Sequence, residues 1–164
     1  MFNRRRNPCP QPSRSSVASS PVIEGLQNLL SDTYILYIKT QNFHWNVTGP
    51  SFGPLHKIFD DQYLELAAAN DLLAERIRAL GGFAVGSCAD FTQRSKITES
   101  LNGKCSDQNE MIRELYQDHN LVSQECKNFL EALDDADDEA TAHMIADRQV
   151  AHEKAAWMLK SHLD

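Results

Sequence analysis

No stretch of this sequence is apolar for anything near the roughly 18 residues that a membrane-spanning helix requires, and no helical membrane span is expected. Its four cysteines, Cys9, Cys88, Cys105 and Cys126, never form a C-x-x-C pair. That spacing argues against a zinc knuckle or a thioredoxin-type redox motif. A chain of 164 residues does not need disulfide staples, so reduced thiols in a cytosol are the expectation. There is no alternating apolar run, no glycine-rich phosphate loop and no internal repeat. Strands, nucleotide-binding loops and solenoids therefore drop out together.

What is present is ordinary for a globular protein. Hydrophobic residues make up 41% and charged residues 24%, which excludes disorder of the whole chain. The length suits one domain and leaves no room for two. Charge is unevenly placed: residues 1–20 hold Arg4, Arg5, Arg6 and Arg14 and no acid, a net +4, leaving −11 on the rest of a chain whose total is −7. No apolar segment follows these arginines, so they do not begin a secretory signal. Their Arg- and Ser-rich surroundings also fit an organelle transit peptide, and composition leaves that reading open beside the simpler one of a flexible basic tail over residues 1–19.

From residue 20 the sequence reads as an all-α, four-helix bundle domain, residues 20–164. Ser20-Pro21 offers an N-cap and a proline at the first helical position. Leu26, Leu30, Tyr37 and His44 then share one helical stripe, broken by Val47-Thr48-Gly49-Pro50. A second helix is expected from Pro54 to Leu80, before Gly81-Gly82. Residues 81–105 read as a long crossover with one short helix near Asp90–Arg94. Asp107-x-x-Glu110 resembles a capping box opening a third long helix, with the stripe Met111, Leu115, Val122, Cys126, Phe129, Leu133. A fourth runs from about Asp138 to His162. The architecture implied is a four-helix bundle with a long crossover between its second and third helices.

The chemistry concentrates in residues 44–75. His44 closes the first helix and His56 opens the second, so an antiparallel turn brings them together; His56 and Asp60, like Asp71 and Glu75, form i, i+4 pairs on one helix face. Imidazole with carboxylate suits iron, zinc or manganese. On a helical wheel His56, Asp60, Asp71 and Glu75 fall within about 100° of one another, yet the two pairs lie roughly 22 Å apart along the axis. With metal–ligand bonds of about 2 Å, they cannot hold one ion within a single chain. Two copies of the helix lying antiparallel about a two-fold axis near residues 65–66 solve this. Each of two sites then takes His44, His56 and Asp60 from one chain and Asp71 and Glu75 from the other, and Ala67-Ala68-Ala69 permits close approach. The plainer alternative is that Asp71 and Glu75 pair with Arg76, Arg78 or solvent on a surface helix, and that His44 is a hydrogen-bonded core histidine. None of the six histidines has a glutamate three residues before it, so the Glu-x-x-His pairs of an intrachain di-iron bundle are missing.

The segment Thr40 to Phe52, with its Phe43-His44-Trp45-Asn46 centre, then Leu55-His56, Phe59-Asp60, Asp71, Ala74-Glu75-Arg76-Ile77 and Leu80-Gly81, closely resembles the Dps family, the DNA-binding proteins from starved cells or mini-ferritins. The resemblance extends over residues 20–163, including Trp157-Met158-Leu159. It implies a ferritin-like four-helix bundle with a short crossover helix, assembled as a hollow dodecamer with its ferroxidase sites at two-fold interfaces. It implies Fe(II) oxidation, preferentially with hydrogen peroxide, and storage of Fe(III) as mineral. His44, His56 and Asp60 match one half of that site, Asp71 and Glu75 the other. Trp45 matches a tryptophan beside it, with interception of stray oxidising equivalents or plain core packing as its two roles.

Asp134, Asp135, Asp138 and Glu139 belong to a run of five acids in six positions. It is either a solvated loop whose last members cap a helix or, by the resemblance, part of the pore through which iron enters. His143 stands where related proteins often carry an acid. Two function classes follow. One is a cytoplasmic ferroxidase and iron-storage cage, with zinc as a further metal its donors accept. The other is a nucleoid-compacting protein that binds DNA through Arg4, Arg5, Arg6 and Arg14 in a salt-sensitive, sequence-independent way, its metal site structural or vestigial.

Overall fold

The computed structural model describes residues 20–100, 107–134 and 136–163. They form five helices and, among the described residues, no strand: α1 (Pro21–Asn46), α2 (Phe52–Ala79), α3 (Cys88–Arg94), α4 (Gln108–Leu133) and α5 (Glu139–Lys160). The expected all-α bundle with a short crossover helix is what the chain adopts. α2 begins two residues before the position expected from Pro54, because proline is tolerated within the first turn, where its missing N–H has no helical partner to lose.

Capping is local chemistry. Asp107 accepts the Asn109 N–H at 2.7 Å and Asp138 the Thr141 N–H at 3.0 Å, each meeting one of the otherwise orphaned N–H groups of a helix start. Ser87 does the same for α3 through the Asp90 N–H. Ser20 departs from expectation: its hydroxyl makes no capping bond, and only its carbonyl takes part, accepting the Glu24 N–H.

Around the bundle α2 lies beside α1, α1 beside α4, and α4 beside α5, while α5 meets α2 only sparingly. Leu26, Leu36, Leu55, Phe59, Leu66, Leu73, Leu115, Val122, Ile145 and Leu159 are wholly buried between them, and removing such surface from water is the main stabilising contribution. The crossover runs the length of α1. The Gln27 amide donates to the Phe83 carbonyl, Tyr34 stacks on Phe91 with ring centres 4.2 Å apart, and the buried Asp32 carboxylate accepts from Ser95 and the Lys96 N–H. It ends where Gln108 Oε1 accepts the Ser51 N–H at 3.2 Å. α2 and α4 therefore start at the same end of the bundle.

That contact fixes the α1–α2 turn. Gly49 has φ +111°, a backbone region closed to other residues without strain, and a side chain there would meet Gln108 Oε1 at 2.9 Å. Val47 is buried and donates its N–H to the Phe43 carbonyl at 2.8 Å. The turn is pinned from both sides, which settles how the end of α1 faces the start of α2.

Candidate metal centre

His44 in the last turn of α1 and His56 in the first turn of α2 stack with ring centres 3.8 Å apart and planes 19° apart. Each ring bonds the other's backbone: His44 Nδ1–H donates to the His56 carbonyl and His56 Nδ1–H to the His44 carbonyl, both at 2.9 Å. A carbonyl only accepts, so both Nδ1 atoms carry protons. In the neutral ring the lone pair then sits on Nε2, and neither Nε2 has a protein partner among the described residues. Fixing the tautomer through the second nitrogen is how metal-binding histidines are prepared. Phe52 stacks against His56 at 5.0 Å and Tyr63 meets His44 edge-on at 5.2 Å, so both rings are walled by aromatic surface.

Asp60 lies one turn beyond His56. The Tyr63 hydroxyl outweighs the opposing effect of burial and, with the Lys57 ammonium 3.5 Å away adding to it, holds its carboxyl below the usual aspartate range. It is therefore ionised at neutral pH, as a ligand to a divalent ion must be. The expected gathering of His44, His56 and Asp60 is only partly met. The two rings touch, but among the described residues no three His, Cys, Asp or Glu side chains of one chain come close enough to hold a metal ion.

Asp71 and Glu75 are exposed on α2, and neither is in an ion pair among the described residues. Of the alternative partners, Arg76 and Arg78 are engaged elsewhere, and in the single chain both acids face solvent. Arg76 donates to Asp138 at 2.6 Å and to Thr141 at 2.9 Å, and Arg78 to the Gly82 carbonyl at 2.7 Å. The same face of α2 exposes Leu64 and Leu72, 54% and 55% accessible, beside Ala67 and Ala68. Two acids amid small and apolar side chains are not a typical solvated helix face, whose apolar residues point inward.

Trp45 is 67% exposed, so core packing within the chain is not its role. With Ile38 and Asn42 it lines a surface groove of about 500 Å³. Among the acids following α4, Asp138 is committed internally. Burial pushes its carboxyl up, but the Thr141 hydroxyl and N–H and the Arg76 guanidinium outweigh that and hold it below the usual range. Asp134 and Glu139 are exposed, and His143 is exposed with Nε2 3.8 Å from Asp147. Asp135 and the tail with Arg4, Arg5, Arg6 and Arg14 lie outside the described residues, as do Cys9 and Cys105. Cys88 is a free, exposed thiol; Cys126 is buried, and burial pushes its thiol up to about 12. Sequence reasoning passed over Tyr63 and Gln108. Tyr63 could have been found from its place three residues after Asp60; Gln108 carried no signal, since its contact joins distant segments.

Residues 23–164 match the ferritin-like domain that defines the Ferritin family. The chain is 35% identical to DNA protection during starvation protein 2 of Bacillus anthracis over 143 residues, covering 87% of this chain and 97% of that protein. The crystal structure of a Dps protein from Bacillus brevis superposes with a TM-score of 0.83 at 35% identity, over 87% of this chain and 95% of that one. The Dps protein of Vibrio cholerae, described as a member of a broad superfamily of ferritin-like diiron-carboxylate proteins, gives 0.82 at 28% identity, over 87% and 89%. The bundle is matched along nearly its whole described length by these proteins. The chain belongs to the ferritin-like family and, within it, to the Dps proteins.

Proposed function

We propose that the chain is a ferroxidase and iron-storage subunit, assembled as a hollow dodecamer, whose reaction centre joins His44, His56 and Asp60 of one copy to Asp71 and Glu75 of another. The observation that carries this reading is the reciprocal His44–His56 bonding, which leaves two imidazole lone pairs free at one end of α2. The uncommitted carboxylates of Asp71 and Glu75, on an exposed face that also carries leucine and alanine, support it from the other end.

Iron is the substrate. Imidazoles retain affinity for ferrous iron, whereas carboxylates stabilise the ferric product. Two ferrous ions held together deliver one electron each to hydrogen peroxide, which with two protons leaves as water. Paired delivery avoids the one-electron step that releases hydroxyl radical. Peroxide is the preferred oxidant in this reading, and Trp45, exposed two residues before the turn, is placed to intercept stray oxidising equivalents. Asp134, Glu139 and His143 supply the route by which iron enters, with Asp138 setting the helix that carries the last two. Zinc competes for the same donors.

The test is anaerobic Fe(II) loading of the assembled protein, then stoichiometric peroxide with radical trapping, in wild type and in a His44→Ala/Asp71→Ala variant. Rapid oxidation with little radical in wild type alone is the expected outcome; equal behaviour of both rejects the site. A second reading, DNA binding in the nucleoid through the basic tail, is favoured by the name of the Bacillus anthracis relative, a DNA protection protein. Removing residues 1–18 is expected to abolish DNA retardation at low salt. Unchanged retardation would exclude the tail.

A further inference from the structure

Where α2 and α5 diverge, the chain leaves a cavity of about 370 Å³ whose walls include Ile58, Ala155 and Met158 and the carboxylates of Asp61 and Glu65. Gln62 and His119 reach it from the interior and Lys154 from the exposed rim. His119, only 2% accessible, belongs to a chain of polar groups in the bundle centre. Glu65 accepts from both terminal nitrogens of Arg148, which fixes the guanidinium. Arg148 Nη2 donates to His152 Nε2 at 3.2 Å, and His152 Nδ1 lies 2.9 Å from His119 Nδ1.

The protons in this chain can be assigned. Arginine has no lone pair to offer, so His152 Nε2 accepts and the proton of that neutral ring sits on Nδ1. Two protonated Nδ1 atoms cannot face each other at 2.9 Å, so His152 Nδ1–H donates and His119 Nδ1 accepts. His119 therefore carries its own proton on Nε2, the atom that has no partner. Burial, which lowers both imidazole pKa values, agrees with two neutral rings. Both ends of the Gln62 amide are likewise without a partner. A buried N–H with no acceptor is costly, and a protonated Nε2 has no lone pair for a metal. With Asp61 held by Lys57 and Glu65 by Arg148, the groups left without a partner in the cavity are the His119 Nε2–H donor and the Gln62 amide, whose NH2 is a second donor. Lys154, which has no ion-pair partner among the described residues, adds positive charge at the rim, and Ile58, Ala155 and Met158 supply apolar wall. Cavities of this size with apolar walls and a few convergent polar groups are what small organic ligands occupy.

We propose that this cavity binds a small organic anion, a short-chain monocarboxylate, whose carboxylate accepts from His119 Nε2–H and the Gln62 amide beneath Lys154 while its chain lies against Ile58, Ala155 and Met158. Its lining includes none of the five residues assigned to the metal centre, and it does not depend on iron chemistry.

Titration calorimetry of the full-length assembled protein with hexanoate tests this, with 1-hexanol lacking the charge and inorganic phosphate lacking the chain. Saturable hexanoate binding is expected, weakened about tenfold or more in His119→Phe and in Lys154→Gln, as for loss of a charge-assisted hydrogen bond. Lys154 is exposed, so that variant tests the idea even if His119→Phe folds poorly. Absence of saturable binding, binding undiminished in Lys154→Gln, or phosphate or hexanol binding as well as hexanoate overturns the proposal. Solid-state NMR of ¹⁵N-histidine protein is an independent check. His119 protonated on Nε2 and His152 on Nδ1 is the expected result, and the opposite pair of tautomers removes its basis.

Discussion

His44 and His56 hold each other by the backbone: each ring donates Nδ1–H to the other residue's carbonyl at 2.9 Å while the two rings stack. Neither ring's orientation is independent of the other. Replacing His44 by alanine removes one of the proposed ligands and also frees the ring of His56. Metal affinity, measured by anaerobic Co(II) titration, is expected to fall about 10- to 100-fold in either single alanine variant. The double variant should lose less than the two single losses combined, because contacting residues couple.

Asp71 and Glu75 stand apart from the fold's own ion pairs. Asp71→Asn and Glu75→Gln should leave the melting temperature within about 2 °C of wild type, as exposed substitutions away from special features do. Ferrous oxidation followed by absorbance is expected to slow at least about tenfold in each. Loss of folding in step with loss of oxidation would mean that these acids support the chain and not the reaction.

Asp138 fastens the start of α5 to α2 through Thr141 and Arg76. Its folded pKa is depressed, so its contribution is complete above the ordinary aspartate value and is lost as pH falls through the lower folded value. Asp138→Ala should cost about 1 kcal/mol at pH 7, the usual cost of a lost N-cap. Urea midpoints of variant and wild type should converge in acid below the ordinary aspartate range.

The buried pair His119 and His152 sets a different acid limit. Burial, with the nearby Arg148 charge adding to it, lowers His119 to about 3, and burial also holds His152 well below its ordinary 6.5. An unfolded chain takes up both protons near pH 6.5, whereas the folded one refuses them, so stability falls as pH drops below that value. Each ring contributes a slope of about 1.4 kcal/mol per pH unit at most. Urea unfolding between pH 6.5 and 4.5 should show this slope in wild type and about half of it in His119→Phe.

The helices were legible because each carries its own local signals: Pro21 at a first turn, Asp107 and Asp138 as caps, Gly81-Gly82 as a stop, and leucines at helical spacing. The site was legible in outline for the same reason, since His44 and His56 are separated by one short turn and the α2 acids share a face. The reciprocal bonding was not, because it depends on Gly49 and Gln108 fixing that turn in three dimensions. His119 and His152 were hidden as well. Each is a single polar residue on an apolar stripe, and only the register of α4 against α5 makes them a pair. Trp45 turned outward where packing had been an equal expectation, because the stripe it follows turns toward the core at Phe43 and leaves the next-but-one residue outside.

The chain has two tryptophans, Trp45 and Trp157, and both lie on its surface, 67% and 66% exposed. Indole emission from this protein will therefore report what covers its surface more than what fills its core. Unfolding of an isolated subunit should shift the emission wavelength little, whereas joining and parting of subunits should move it strongly, wherever a neighbour covers either ring. A fluorescence melt read as loss of fold would then be timing the dissolution of a quaternary structure.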